Sequence, residues 1–400
     1  MSNLQKGWTE KKLGEICTIT SSKRIFQKEY TKNGIPFYRT KEIRELANGK
    51  DVTTELFISE ERYKQIKVNF GIPIEGDMLL TAIGTIGEIY IVDKNKEFYF
   101  KDGNVLWLKD FQSVNTYYLK FALGSFIEEI KKLSNGSTYN ALPIEKLKNH
   151  KILLPPLEEQ KRIAEILDQA EELRRKRKEA IAQLDTLTQS IFLEMFGDPV
   201  VNPKGWDIGR LEDIADFQTG YPFKSSEYTT NGETVKLCRG ANILPNHLDW
   251  TDLALWPKNR TNTLREFALE AGDVVIAMDR PWISSGFKIA QIEQTDLPAL
   301  LVQRVARLRG KNSYSNSFIF QILKLPIFAH HCKPTETTVP HISPKDIKSF
   351  SFPLPPVSLQ KEFAQRVEAV EELKKSHRAS LSELDALFAS LQHRAFKGEL

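Results

Sequence analysis

Cysteine is scarce in this chain: Cys17, Cys238 and Cys332 are the only three in 400 residues, and no two stand at a paired spacing. An odd, scattered set argues against a disulfide framework and against a zinc motif, and it fits a reducing compartment. Long apolar runs are missing as well; none reaches the roughly 18 residues that a membrane span needs. The opening Met1-Ser2-Asn3-Leu4-Gln5-Lys6-Gly7-Trp8 lacks the charged-then-apolar order of an export signal, so a cytoplasmic location is expected. No sign of charge dominates. Fifty-six basic and 52 acidic residues leave a net +4. By segment the balance is +4 over 1–150, −2 over 151–200, +2 over 201–350 and zero over 351–400. The excess sits in the two presumed globular parts, a distribution that permits nucleic-acid binding without requiring it.

Catalytic signatures are also lacking. Gly49-Lys50 is followed by Asp51 and Gly310-Lys311 by Asn312, so neither opens a phosphate-binding loop. No Gly-x-Ser-x-Gly elbow and no His-Glu-x-x-His pair occurs. Asn202-Pro203 lacks the second proline and the aromatic residue of an amino-methyltransferase motif. Gly84-Thr85-Ile86-Gly87 reads as a turn, and His330-His331-Cys332 with His341 lacks zinc-ligand spacing. The chain is expected to hold no metal and no cofactor of its own.

What the chain does have is a repeat. Residues 147–196 align without a gap on 347–396, with 15 identities in 50 positions. Leu154-Pro155-Pro156 matches Leu354-Pro355-Pro356, Gln160-Lys161 matches Gln360-Lys361, and Glu171-Glu172-Leu173 matches Glu371-Glu372-Leu373. Leu184-Asp185, Leu187, Ser190 and Phe196 recur at 384–385, 387, 390 and 396. Each proline pair holds the chain extended and marks a helix boundary. Neither proline nor glycine then recurs before Gly197 or Gly398. Apolar residues at three-four spacing predict a seam of Ile163, Ile166, Ala170, Leu173, Ala180, Leu184, Leu187 and Ile191 in the first copy. The second copy offers Phe363, Val370, Leu373, Leu384, Leu387 and Leu391 in the same frame. Two such helices are expected to pack on each other as a coiled coil, some 35 residues and roughly 50 Å long. Arg177 and His377 occupy one slot of this frame; either they fix register or they extend to solvent.

The segments before each helix share punctuation. Gly7-Trp8 and Gly205-Trp206 open them; Glu75-Gly76-Asp77 and Ala271-Gly272-Asp273 each turn into an apolar strand. Helices are expected at 117–130 and 317–328, followed in both halves by a Ser/Thr-rich loop. Between these landmarks the halves diverge: Ala82-Ile83-Gly84-Thr85-Ile86-Gly87 faces Ala277-Met278-Asp279-Arg280-Pro281-Trp282.

The Leu-Pro-Pro-Leu-Glu-Glu-Gln-Lys-Arg-Ile-Ala-Glu-Ile-Leu block at 154–167, the long helix ending Phe196-Gly197-Asp198-Pro199, and their second copy resemble the specificity subunits of type I restriction-modification systems. The resemblance covers the whole chain. It departs at Ser358-Leu359, where the first copy has Glu158-Glu159. It implies an α+β chain with two globular target recognition domains, at 1–153 and 198–353. Spacer helices would occupy 154–197 and 354–400 and pair as an antiparallel coiled coil. Each domain would read one half of a bipartite double-stranded DNA site, and the helices would dock two methyltransferase and two restriction subunits. S-adenosylmethionine, ATP and magnesium would belong to those partners.

Loops bearing hydroxyl, amide and basic groups are the candidate DNA contacts, since Arg or Lys can read guanine and Asn or Gln adenine. They are Tyr38, Arg39, Thr40, Lys41, Ser137, Thr138 and Asn140 in the first half, and Arg239, Asn242, Arg280, Trp282, Ser284 and Thr337 in the second. Two rival readings are a protein-binding adaptor and a duplicated enzyme. The latter should keep one polar set in both halves, and these halves share none.

Overall fold

A computed structural model describes residues 7–133, 142–332 and 340–400. The chain divides into two compact units, and the division falls within both long helices. One unit comprises residues 1–178 with 379–400; the other comprises 179–378.

In the first unit Thr9–Lys12 pairs antiparallel with Lys151–Leu154, so the start of the domain is tied to the strand just before the prolines. The core sheet runs Thr18–Ser21, Val105–Lys109, Met78–Thr81, Ile89–Ile91. The second unit repeats this plan. Ile208–Arg210 pairs with Ser351–Pro353, and its core sheet runs Ala215–Thr219, Val305–Gly310, Val274–Ala277, Ile289–Gln291. The register is conserved too: Thr81 faces Val105 and Ala277 faces Val305. Beside each core sheet lies a smaller one with a parallel pair, Ile35–Tyr38 with Tyr99–Phe100 and Thr234–Cys238 with Ala299–Leu301.

A helix covers one face of each core sheet. Thr116–Leu133 follows the expected span closely. Its counterpart does not: Pro326 splits it into Ser315–Lys324 and Pro326–Cys332. Proline has no N–H for the helical ladder, and its ring clashes with the preceding turn, so the chain restarts with proline in the first turn.

The central helix, Leu157–Phe196, and the C-terminal helix, Val357–Ala395, each begin directly after their proline pair. The shared glutamine explains that start. Gln160 is buried; its Nε2 donates to the Pro155 carbonyl (2.8 Å) and its Oε1 accepts from the Asn115 N–H (2.8 Å). Gln360 repeats the arrangement, donating to the Pro355 carbonyl (2.9 Å) and accepting from the Ser315 hydroxyl (3.1 Å). Each glutamine thus clamps its helix to its own domain, whereas positions 158–159 and 358–359 lie outside the clamp and are free to differ.

Within each unit the helices pack antiparallel. In the first, Arg162 reaches the Leu400 carbonyl (2.7 Å), and Phe388, Leu391 and Phe396 pack on a core containing Ile163, Leu167 and Tyr118. In the second, the rings of Phe192 and Phe196 pack on Phe318 and Phe363 with centroids 5.1–5.6 Å apart. The buried stripe follows the predicted one only in part. It runs Ile163, Leu167, Ala170 in the central helix and Phe363, Val367, Val370 in the C-terminal helix. Leu173 and Leu373 are each 53% exposed, Leu187 44% and Leu387 48%. Ile166, Leu184, Ile191, Leu384 and Leu391 are half-buried on its flank. Ile163, Ala170, Phe363 and Val370 thus lie where expected, but the stripe continues through the polar Arg174 and Lys374 instead of Leu173 and Leu373, because each helix start faces its domain as well as its partner helix.

Candidate nucleic-acid interface

The divergent segments gather at one end of each core sheet. In the second unit Thr234–Cys238 and Ala299–Leu301 run parallel toward it, Val274–Ala277 ends there, and Val305–Gly310 begins there. Lys288 ties the loops together. Its backbone N–H donates to the Pro281 carbonyl (2.7 Å), and its ammonium donates to the Gly240 carbonyl. Burial and the neighbouring Arg280 charge push the Lys288 ammonium below the ordinary lysine value. Asp279 receives His341 Nδ1 (2.9 Å) and lies 3.8 Å from Arg304. Arg280 N–H donates to the Pro340 carbonyl (2.8 Å), and Ile342 N–H to the Met278 carbonyl (3.0 Å).

Two arginines here sit in left-handed backbone, Arg280 at φ 47° and Arg304 at φ 67°. For a residue with a β-carbon that conformation costs about 1 kcal/mol or more, and such strain gathers at functional sites. Arg280 and Ser284 are exposed, the latter at the tip of the Trp282–Ile283/Gly286–Phe287 hairpin. Trp282 is half-buried, stacked on Phe287 at 4.9 Å. Arg239 pairs with Asp252 (3.0 Å).

Asn242 is not available to DNA. It is buried; Oδ1 accepts from the Arg239 N–H (3.1 Å), and Nδ2 donates to the Asp249 and Asp252 carbonyls (both 2.9 Å). Both amide protons are therefore committed to holding the loop. Asn242→Ala should destabilise the second unit by about 3 kcal/mol, because three backbone groups lose a hydrogen-bond partner. A urea midpoint indistinguishable from the parent would refute that role.

In the first unit Tyr38 is likewise withdrawn, buried with its ring stacked on Phe98 at 4.9 Å. The neighbouring Arg39 mirrors Arg239: its N–H donates to Glu42 (2.8 Å), at the spacing of Arg239 to Asn242, and its guanidinium is 2.7 Å from the same carboxylate. Burial works to raise the Glu42 pKa, but the hydrogen bonds from Arg39 prevail and hold it below the ordinary value. Thr40 opens the helix Thr40–Ala47 with its hydroxyl buried and unpartnered among the described residues, and Lys41 is exposed. Gly84 and Gly87 have positive φ, and the Thr81 hydroxyl donates to the Thr85 carbonyl (2.5 Å), so this segment is a pinned turn. Leu142 N–H donates to the Ala82 carbonyl (2.9 Å), anchoring the chain at this end. Ser137, Thr138, Asn140 and Thr337 lie outside the described residues.

The sequence offers no reason to place Lys288 or Arg304 here, and shows Asp279 only as part of a divergent segment and His341 only as a discarded zinc candidate; the fold brings these dispersed positions together. Burial above all, with nearby Asp110, Asp296 and Asp346 respectively, pushes the Cys17, Cys238 and Cys332 thiols up to about 12, which leaves no thiolate nucleophile near neutrality. Among the described residues no group of three or more His, Cys, Asp or Glu side chains is placed to hold a metal, and no helix is long and apolar enough to cross a membrane.

One scaffold used twice, with loops that differ at the same end of each copy, defines a duplicated recognition chain. The protein belongs to the type I restriction-modification specificity subunits, which serve recognition and not catalysis. The family described as "Type I restriction modification DNA specificity domain" matches residues 5–183 and 203–386. The chain is 26% identical over 353 residues to the type I restriction enzyme MjaVIII specificity subunit of Methanocaldococcus jannaschii, covering 84% of this chain and 81% of that one. It is 37% identical over 172 residues to the EcoAI specificity subunit of Escherichia coli, which is 42% of this chain but only 29% of the relative's length. The S subunit from M. genitalium shares the fold, with a TM-score of 0.56 at 16% identity over 99% of this chain and 97% of that one.

Proposed function

We propose that this chain directs a type I restriction-modification assembly to a bipartite DNA sequence. Residues 1–153 and 198–353 act as target recognition domains, and 154–197 and 354–400 act as spacer helices between them. The observation that carries this reading is the repeated sheet order with unlike loops at one end of each copy. Arg39, Thr40, Lys41, Ser137, Thr138 and Asn140 contact DNA from the first domain; Arg239, Arg280, Trp282, Ser284 and Thr337 do so from the second. Basic groups supply salt-dependent phosphate affinity, and groove-facing side chains supply sequence. The target adenine is flipped into a partner's pocket and methylated at N6, with S-adenosylmethionine, ATP and magnesium bound by partner subunits in the cytoplasm.

Exposed apolar residues recur at matched helix positions: Leu157 with Val357, Leu173 with Leu373, and Leu187 with Leu387. Two matched sets of exposed apolar positions suit two copies of one partner, the methyltransferase subunit, and two restriction subunits complete the assembly. The decisive experiment is single-molecule sequencing for N6-methyladenine in a host carrying this chain and its methyltransferase. A bipartite methylated motif is expected; none, with the methyltransferase active, refutes the proposal.

Inserting one heptad into both helices adds roughly 10 Å of rod. At 3.4 Å per base pair the gap between half-sites should grow by about 3 base pairs. Changed half-site sequences at an unchanged gap would show that the helices are not the ruler.

A further inference from the structure

Both long helices place a cation where the buried stripe calls for hydrocarbon. The stripe Phe363, Val367, Val370 continues at Lys374, whose side chain is only 5% exposed. The ammonium crosses to Asp185 of the central helix (2.8 Å) and also meets Glu371 of its own helix (2.6 Å). The charges of Asp185, Glu371 and Lys374 all reach Lys324, at the end of the helix packed against this site. In the first unit the stripe Ile163, Leu167, Ala170 continues at Arg174. Its Nε meets Asp385 of the C-terminal helix (2.6 Å), its Nη1 meets Glu171, and its guanidinium lies 4.5 Å from the Phe388 ring centroid. Cation and acids therefore occupy repeat-equivalent positions in the two units: 174 with 374, 185 with 385, and 171 with 371.

The pairing is reciprocal, and within each unit sliding one helix past the other separates the cation from its acid. Stability alone does not account for such pairs. The acids keep much of their hydration, Asp185 at 47% and Asp385 at 46% exposure, but the cations do not, at 5% for Lys374 and 18% for Arg174; withdrawing a cation from water costs free energy that an apolar side chain at the same place would not. A stripe of aliphatic residues tolerates slippage, whereas a buried polar group penalises every register but one. We propose that Arg174–Asp385 and Lys374–Asp185 are positioning pairs that fix the helix register and thereby hold the half-site gap to one length. This rests on the spacer reading above.

The test replaces both cations, Arg174→Met with Lys374→Met, in the full chain assembled with its methyltransferase. Thermal unfolding and the methylated motif are read side by side. The expected result is a midpoint unchanged or raised, with methylation at gaps one or more base pairs away increased at least tenfold over the parent. The conservative pair Arg174→Lys with Lys374→Arg should restore the single gap. A single unchanged gap in the Met variant overturns the proposal, whatever its midpoint. So does loss of all methylation with a lowered midpoint, which would make the pairs merely structural. If the parent itself gave no bipartite motif, the functional reading would fail first, so the two failures are distinguishable.

Discussion

Removing residues 379–400 should unfold the first unit while leaving the second folded. The removed segment carries Ala395, which is fully buried in the first unit's core, and Phe388, Leu391, Phe396 and Leu400, which pack against that core. Burying a large apolar side chain contributes roughly 1.5–3 kcal/mol. Four partly buried ones, discounted for residual exposure, sum to about 5 kcal/mol, comparable to the whole net stability of a typical domain. The deletion also takes Asp385 from Arg174 and bares the faces of Tyr118 and Phe121 that meet Phe396 and Phe388. No core member of the second unit is lost, because that unit ends at Arg378. Hydrogen exchange distinguishes the two: amide protection in Thr116–Leu133 and Lys151–Leu154 should collapse, while Ser315–Lys324 keeps its own. Protection retained in the first unit would mean that the last helix does not complete its core.

This interdependence was only half legible beforehand. An ungapped repeat of proline pair, glutamine and apolar spacing was enough to find two helices, their starting points and their pairing, while the antiparallel sense came only with the family resemblance. Periodicity could not identify which residues face inward. Leu173 and Leu187 look like seam residues because leucine is the usual occupant, yet the true stripe passes through Arg174, where charge hides it. The paired acids Asp185 and Asp385 stood among the repeat's identities, but without their cations they read as solvated surface. The same limit governs the DNA-facing ends. Asn242 has the chemistry of an adenine reader, and only its burial and its two carbonyl partners show that it holds the loop instead. Conversely, Lys288 and His341 are unremarkable in sequence, and become neighbours of the Arg280 segment only through Gly240, Pro281 and Asp279.

Arg280→Gly should relax one half of the methylated motif and leave the other unchanged, with stability within about 1 kcal/mol of the parent. Arg280 is exposed, with φ at 47°, a conformation that glycine adopts without strain. Its backbone N–H keeps the bond to Pro340 in the variant. Relief of strain is worth about 1 kcal/mol, and glycine's greater freedom in the unfolded chain offsets much of that. The side chain is thus removed without disturbing the loop that carries it, which alanine cannot achieve at this φ. If the guanidinium reads a guanine, discrimination at that base pair should fall by about 1–3 kcal/mol, roughly 5- to 150-fold. Methylation of substrates varied one position at a time would show the loss at one position in one half-site. A uniform fall across all sequences would instead make Arg280 a phosphate contact, since such contacts carry affinity without sequence. No change at all would place the second domain's reading surface elsewhere than the Asp279–Phe287 segment. The strained arginine therefore offers a sharper test than any residue chosen for its chemistry alone, because here the fold already pays for holding the side chain in position.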